Sequence, residues 1–478
     1  MLQQIILLTS FFVSFTDKAI NTPPALSDRA LEQRAKWNIA LDELDYPVNA
    51  AYLDSLREYG ASIYHTSRWM NGATVEMTDE LADVIATRTF VKEVEKTRDD
   101  SPNRFFAKRR SLPARDNFLG QTADVTLITE LQLALFNLLP LHDLGYHGQG
   151  IIITVCDGGF TQANTLSCFR QEHELGHFDF TDDTDEFYGE TGLHGTYCLS
   201  TISGLLEYEY TGAATEADYY LMRSEENDTE SPKEMDNLVA ALETADSLGT
   251  NVFSVSLGYA MFDNDNWTLD YSALDGKSTR VSLAATIAAR KGMLVCVAAG
   301  NEGNGPWHTI SAPADADSIL TVGAVDNEGV IGKFSSYGPS YDGRVKPDVC
   351  AVGVQTALIN VNGNVIRSNG TSFATPLLAG LAATLWSALP DENAMQIRER
   401  IIRSADRYNT PDPENHYGYG VPDAYAAYLS TATTLPEAPV STRSVKYMQG
   451  NTLYIYHNGK TYTIFGTPQS GFPTQANQ

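Results

Sequence analysis

The spacing of apolar positions divides the chain into stretches of different character. Over residues 11–100, short strand-like runs alternate with helical spacing. Phe11–Lys18, Ala61–Thr66, Ala73–Met77 and Val91–Lys96 read as strands. Leu31–Leu44 and Asn49–Tyr59 read as helices, and Thr78–Ile85 as a short helix capped by Thr78. The pattern predicts a small α+β unit. From about residue 120 to 430 the pattern changes. Gly150–Cys156 is a continuous apolar run, as expected of a strand covered on both faces, and Val252–Leu257, Met293–Ala298 and Ile319–Val325 resemble it. Helical patterns such as Glu234–Leu248 and Val281–Lys291 lie between them. Strands alternating with helices predict an α/β fold, a doubly wound and mostly parallel sheet with helices on both faces. Such a sheet binds ligands beyond the carboxyl ends of its strands.

Polar stretches separate these regions. Asp99–Arg115 is polar and basic, and residues 101–119 read as a linker open to proteolysis. Residues 431–478 begin as a Thr/Pro/Ala/Ser linker. They end in a predicted β-hairpin around Asn458-Gly459, with a type I′ turn. Residues 1–10 open an apolar run with no Lys or Arg before it, an imperfect secretory signal that runs into the first strand. No later stretch has about 20 consecutive apolar residues, so no stable membrane insertion is expected.

Charge narrows the class of partner. The chain has 478 residues, of which 33 are Lys or Arg and 60 are Asp or Glu, for a net charge of −27. Residues 1–115 carry 15 basic and 16 acidic side chains, and the rest of the chain the other 18 and 44. So acidic a surface argues against nucleic-acid binding and suits a dispersed soluble protein. A structural calcium ion would fit the acidity, but no loop of alternating Asp/Asn with a closing Glu supports one. The five cysteines are too few for a disulfide scaffold, and Cys156 and Cys296 sit in buried runs.

Three segments carry candidate chemistry. Asp157 ends the first buried strand, before Gly158-Gly159. His194 opens a run of small residues in Leu193-His194-Gly195-Thr196. Ser372 stands in Asn369-Gly370-Thr371-Ser372-Phe373-Ala374-Thr375-Pro376, before a long apolar run. A serine hydroxyl is a weak nucleophile unless an imidazole takes its proton as it attacks. The imidazole needs a buried carboxylate to fix its tautomer and stabilise its cation. Ser372 at a helix start would place unpaired N–H groups beside a developing oxyanion. Asn301, after the buried strand that ends in Ala298-Ala299-Gly300, would add a side-chain amide donor.

These segments resemble those of the subtilisin-like serine proteases, the subtilases, in sequence and in the order Asp, His, Asn, Ser. The resemblance covers residues 120–430. It includes Ser256-Leu257-Gly258, Phe334–Pro339 and Gly418–Val421. It implies Asp157 as orienter, His194 as general base then acid, Ser372 as nucleophile and Asn301 as oxyanion donor. It further implies a substrate cleft between Ser256, Leu257 and Gly258 on one side and Ala298, Ala299 and Gly300 on the other. Residues 11–100 are similar to the inhibitory prodomain of the family. The expected protein is a secreted or cell-envelope endopeptidase made as a zymogen. Its partners would be a protein or peptide substrate and its own prodomain, and its chemistry would need no cofactor or metal. The alternatives are a catalytically silent binding module on the same fold, and an esterase or peptide ligase on the same site. The chain departs from the family pattern at Tyr197-Cys198. Tyr197 is expected to narrow the site. Cys198, one helical turn after His194, is expected to be a packed core thiol, with a modulating thiol as the alternative. His173 and His177, if helical, would share a face, but no metal site is expected there.

Overall fold

A computed structural model describes residues 9–18, 20, 22–99, 117–118, 125–181, 186–190, 192–226, 229–412, 414–430, 445–449, 452–457, 460–463 and 468–469. The chain divides into two compact units, Met1–Leu429 and Ser430–Gln478.

The first unit begins with an antiparallel layer. Strands β1 (Thr9–Phe15), β2 (Ser62–Ser67), β3 (Gly72–Met77) and β4 (Val91–Arg98) pair in the order β2-β3-β1-β4. Three helices accompany them, α1 (Asp28–Lys36), α2 (Ala50–Tyr59) and α3 (Asp79–Ala86). Phe11, Val13, Phe15, Leu56, Val75, Met77 and Ile85 form its core. Thr78 caps α3 as predicted, its hydroxyl accepting from Leu81 N–H. The predicted helix Leu31–Leu44 is shorter. It ends at Lys36, Asn38 adopts a left-handed conformation with φ of 53°, and only a 3-10 turn at Glu43–Asp45 follows. Strand β1 stops at Phe15 rather than Lys18, whose ammonium turns to the carbonyls of Glu43 and Arg68.

The larger part follows β5 (Asn117–Phe118), α4 (Val125–Ala134) and α5 (Leu139–Asp143). Strands β6 (Ile152–Asp157), β7 (Glu174–Asp179), β10 (Asp218–Arg223), β11 (Val252–Val255), β12 (Leu294–Ala298), β13 (Leu320–Val325) and β14 (Val349–Val352) form one parallel sheet, in the order β14-β13-β12-β11-β6-β10-β7. Between β7 and β10 lies the ribbon of β8 (Leu205–Leu206) and β9 (Tyr210–Thr211). Strands β15 (Thr356–Ile359) and β16 (Val365–Ser368) pair with β5. The strand side chains alternate between two cores. Ile153 and Val155 join the cluster that holds helices α6 (Leu193–Ser203) and α9 (Thr371–Ala388). Cys156, Phe253 and Val255 join the cluster of α7 (Pro232–Leu248) and α8 (Arg280–Arg290). Burial on both faces explains the unbroken apolar runs. Helices α10 (Ala394–Ser404) and α11 (Ala424–Leu429) close this part.

The sheet order fixes where a ligand sits. The chain runs from β6 to one side, through β7 and β10, then crosses to β11 on the other side. The gap at the carboxyl ends of β6 and β11 is therefore the topological switch point, the usual ligand crevice of such sheets.

The antiparallel layer docks on α7 and α8 through buried charge. Trp69 enters the α7/α8 core. Glu243 on α7 accepts from Ser67 Oγ at 2.5 Å and from the N–H groups of Arg68 and Trp69 at 2.9 and 3.1 Å. Arg34 pairs with Asp246 at 2.8 Å and Asp45 at 3.1 Å, and Lys291 pairs with Asp45 at 2.7 Å. Arg34, Asp45 and Asp246 are buried. Removing one partner of a buried pair leaves an uncompensated charge and costs about 3–5 kcal/mol. Arg34→Ala is therefore expected to lower the unfolding free energy of the uncut chain by about that much, read as a lower urea midpoint. A midpoint within error of the parent would contradict this.

In the second unit, β17 (Val445–Gln449), β18 (Thr452–His457), β19 (Lys460–Thr463) and β20 (Pro468–Gln469) form an antiparallel sheet in that order. His457 pairs with Lys460, which frames the predicted hairpin, while the Asn458-Gly459 turn lies outside the described residues. Of the expected signal segment at residues 1–10, residues 1–8 lie outside them and Thr9 and Ser10 belong to β1; of the expected linker at 101–119, all but 117–118 lie outside them. Among the described residues no helix is long and apolar enough to cross a membrane.

Candidate active site

Asp157 is the last residue of β6, and Ser256 follows β11 directly. Both stand at the switch point. His194 is the second residue of α6. The helix comes close because its next residue is glycine. A Cβ on Gly195 would meet the Gly159 carbonyl at 2.2 Å and Asp157 Cβ at 3.0 Å. Thr196 secures the same approach by donating from its hydroxyl to the Thr161 carbonyl at 2.8 Å.

Asp157 and His194 are joined directly. His194 Nδ1 lies 2.8 and 3.0 Å from the two carboxylate oxygens. Asp157 is buried, 1% exposed, whereas the imidazole is 40% exposed and so has one face toward solvent. Gly158 N–H donates to Asp157 Oδ1 at 2.8 Å. Desolvation disfavours the imidazolium, but the Asp157 carboxylate outweighs it and holds His194 well above the ordinary imidazole range. With Nδ1 engaged by a carboxylate, Nε2 is the nitrogen left for proton exchange.

Ser372 lies in the first turn of α9, behind the N-cap Gly370, so it is not itself the cap. Its neighbour Phe373 packs against the His194 ring, with centroids 5.6 Å apart. The Ser372 hydroxyl points to the Ser256 carbonyl at 3.4 Å. Proton transfer to His194 Nε2 requires Oγ to turn away from that carbonyl. Asn301 stands across the helix end. Its Oδ1 accepts from Thr371 N–H at 2.9 Å and from Thr371 Oγ at 3.0 Å. An N–H can only donate, so this assigns Oδ1 inward and leaves Nδ2 as the outward donor. Thr371, which sequence reasoning passed over, therefore sets the direction of the Asn301 amide. Its place beside Ser372 was the available signal.

The residues expected to line a cleft fall into two groups. Leu257 and Ala299 turn their side chains into the α7/α8 core, so only their backbones can face a ligand. Ser256 and Ala298 are buried, Gly300 is half-buried and Gly258 is exposed. Gly300 takes a φ of +112°, and a Cβ there would meet Ser336 Oγ at 2.9 Å. Two expectations are corrected. Tyr197 is 5% exposed and packs in the α6/α9 core, so it does not narrow the site. His173 lies in a 3-10 turn and His177 on β7, so they share no helical face. They meet Asp218 and Tyr188 instead. Cys198 is buried, as expected, with its sulfur 3.8 Å from His194 Nδ1.

The sequence model of the subtilase family matches residues 148–420, and that of the Peptidase S8 propeptide domain of Bacteroidota matches residues 10–111. The serine protease AprX of Bacillus subtilis (strain 168) is 27% identical over 308 residues, which span 58% of this chain and 66% of AprX. The thermostable alkaline protease of Halalkalibacterium halodurans is 27% identical over 306 residues, 63% of this chain and 75% of that protein. Among solved structures, MycP1 from the ESX-1 type VII secretion system aligns with a TM-score of 0.53 at 20% identity. The match covers 68% of this chain and 92% of that one, and the likeness is one of fold.

Proposed function

The chain belongs to the subtilase family and is a subtilisin-like serine protease with a propeptide, and on that premise we propose that it is an endopeptidase made as a zymogen and exported. One observation carries the reading: the Asp157 carboxylate grips Nδ1 of His194 beside the first turn of the helix that bears Ser372. Ser372 attacks the scissile carbonyl while His194 Nε2 takes its proton. The oxyanion is met by Asn301 Nδ2 and by the Ser372 N–H, one of the first-turn donors a helix leaves unpaired. His194 then returns the proton to the leaving amine, and water repeats the sequence on the acyl-enzyme. The peptide adds as a strand along Ser256–Gly258, the segment that continues β11 past the carboxyl edge of the sheet. The antiparallel layer docked on α7 and α8 serves as the inhibitor, released by a cut within residues 99–116. The protein acts outside the cell or in its envelope.

Substrate choice separates this reading from its rivals. The processed protein is expected to hydrolyse both casein and a simple ester. Ester hydrolysis without casein cleavage would mean an esterase or ligase. Hydrolysis of neither by folded, processed protein would mean a silent module.

The pH profile tests the base. Catalysis needs neutral His194, and Asp157 raises the pKa of that imidazole. The acid limb of kcat/KM is therefore expected to have its midpoint above the unperturbed value of about 6.5. A midpoint below that value would contradict the pairing. The same linkage gives the sign for stability. The pair contributes most below the unfolded-state pKa, and that contribution is lost as pH rises through the folded one.

A further inference from the structure

Helix α9 contains Pro376, four residues after Ser372. A proline in that position offers no N–H to the carbonyl of residue i−4, and its ring crowds that carbonyl. The Ser372 carbonyl thus lacks its intrahelical donor. Two side chains from other elements take the donor's place. Ser256 Oγ donates to Ser372 O at 2.8 Å, and the Cys198 thiol donates to it at 3.2 Å. Both donors are buried, Ser256 at 8% and Cys198 at 0% exposure. Burial raises the Cys198 thiol, which keeps it an S–H donor at neutral pH.

We infer that Ser256 and Cys198 are positioning residues for Ser372: together they replace the donor that Pro376 removes, and so fix the backbone from which the Ser372 hydroxyl and N–H project. The inference rests on the reading of Ser372 as nucleophile. One carbonyl oxygen joins three elements. Ser256 belongs to the segment after β11, along which the substrate is proposed to lie. Cys198 shares α6 with His194. Ser372 opens α9. An ordinary helical bond would tie that carbonyl only to its own helix. Here the missing bond lets it register the nucleophile against both the base and the substrate strand. A carbonyl oxygen has two lone pairs, so either donor alone still satisfies it. Loss of both orphans it.

The test is a set of variants whose kcat is expressed per Ser372 labelled by a fluorophosphonate, which removes any difference in folded fraction. Cys198→Ala and Ser256→Ala are each expected to lower kcat by about fivefold or less, and the double variant by roughly 100-fold, more than the product of the two. KM should change by less than about twofold throughout, since the substrate-binding backbone is retained. Cys198→Ser keeps a donor and should recover most of what Cys198→Ala loses. Pro376→Ala returns the helical N–H, so in that background the double variant should lose no more than about tenfold. The inference is overturned if the double loss equals the product of the single losses, if Cys198→Ser is as damaging as Cys198→Ala, or if the penalty persists in full with Pro376→Ala. Failure of the parent protein to label at Ser372 overturns the nucleophile reading, and this inference with it.

Discussion

Ser372→Ala is expected to yield a folded chain that keeps its N-terminal layer and cleaves no casein. The loss in kcat should be on the order of 10⁶-fold, the size a triad serine carries in subtilisin itself. The reason is geometric. Ser372 carries the hydroxyl in the first turn of α9, between Phe373, which packs on the His194 ring, and Thr371, which binds Asn301. Ser256 cannot substitute, because its hydroxyl is committed to the Ser372 carbonyl at 2.8 Å. Alanine removes one oxygen from a buried site, so the fold should survive. Intact mass reads the outcome. The variant should retain the linker at residues 99–116 uncut, whereas the parent should lose everything before it. A variant that matures alone and digests casein would mean that another group performs the attack.

Asp157→Asn is expected to lower kcat by about 10⁴-fold with little change in KM, the scale known for removing the orienting carboxylate of a serine protease triad. Asparagine keeps the shape and can still accept from Gly158 N–H. It also presents an NH₂ to His194 Nδ1. That nitrogen must then accept, and the ring proton moves to Nε2, where it blocks uptake of the serine proton. With the carboxylate gone, the charge that raises His194 is lost too, so the acid limb of the residual activity should move to lower pH. Parallel falls in activity and in thermal stability would instead point to a structural role for Asp157. An unchanged acid limb would mean that another group sets the His194 pKa.

The parts of this protein legible in its sequence are those whose cause is local. Continuous apolar runs such as Gly150–Cys156 betray strands covered on both faces. A polar residue that ends such a run, as Asp157 does, stands at the open end of the sheet. The segment around Ser372 reads as a turn entering a buried helix, and Thr371–Trp386 are all buried. What stayed hidden depends on partners distant in the chain. Arg34, Arg68, Asp246 and Lys291 look like solvent-facing positions, yet they form a buried network whose pairs lie 178 to 246 residues apart in the chain. Periodicity also carried the first helix on to Leu44, where backbone turning at Asn38 ends it sooner. Tyr197 misled for a related reason. It stands three residues after His194, but its side chain is 5% exposed and packs among core residues. The role of Thr371 appears only once Asn301, 70 residues earlier, is brought to its N–H.

Labelling of the processed protein with a serine-directed fluorophosphonate, followed by peptide mass mapping, tests the central claim most directly. A single adduct on Ser372, formed faster as pH rises through the His194 titration and nearly abolished by Asp157→Asn, is the predicted result. Folded, processed protein that takes no label, or takes it on another residue, would contradict it.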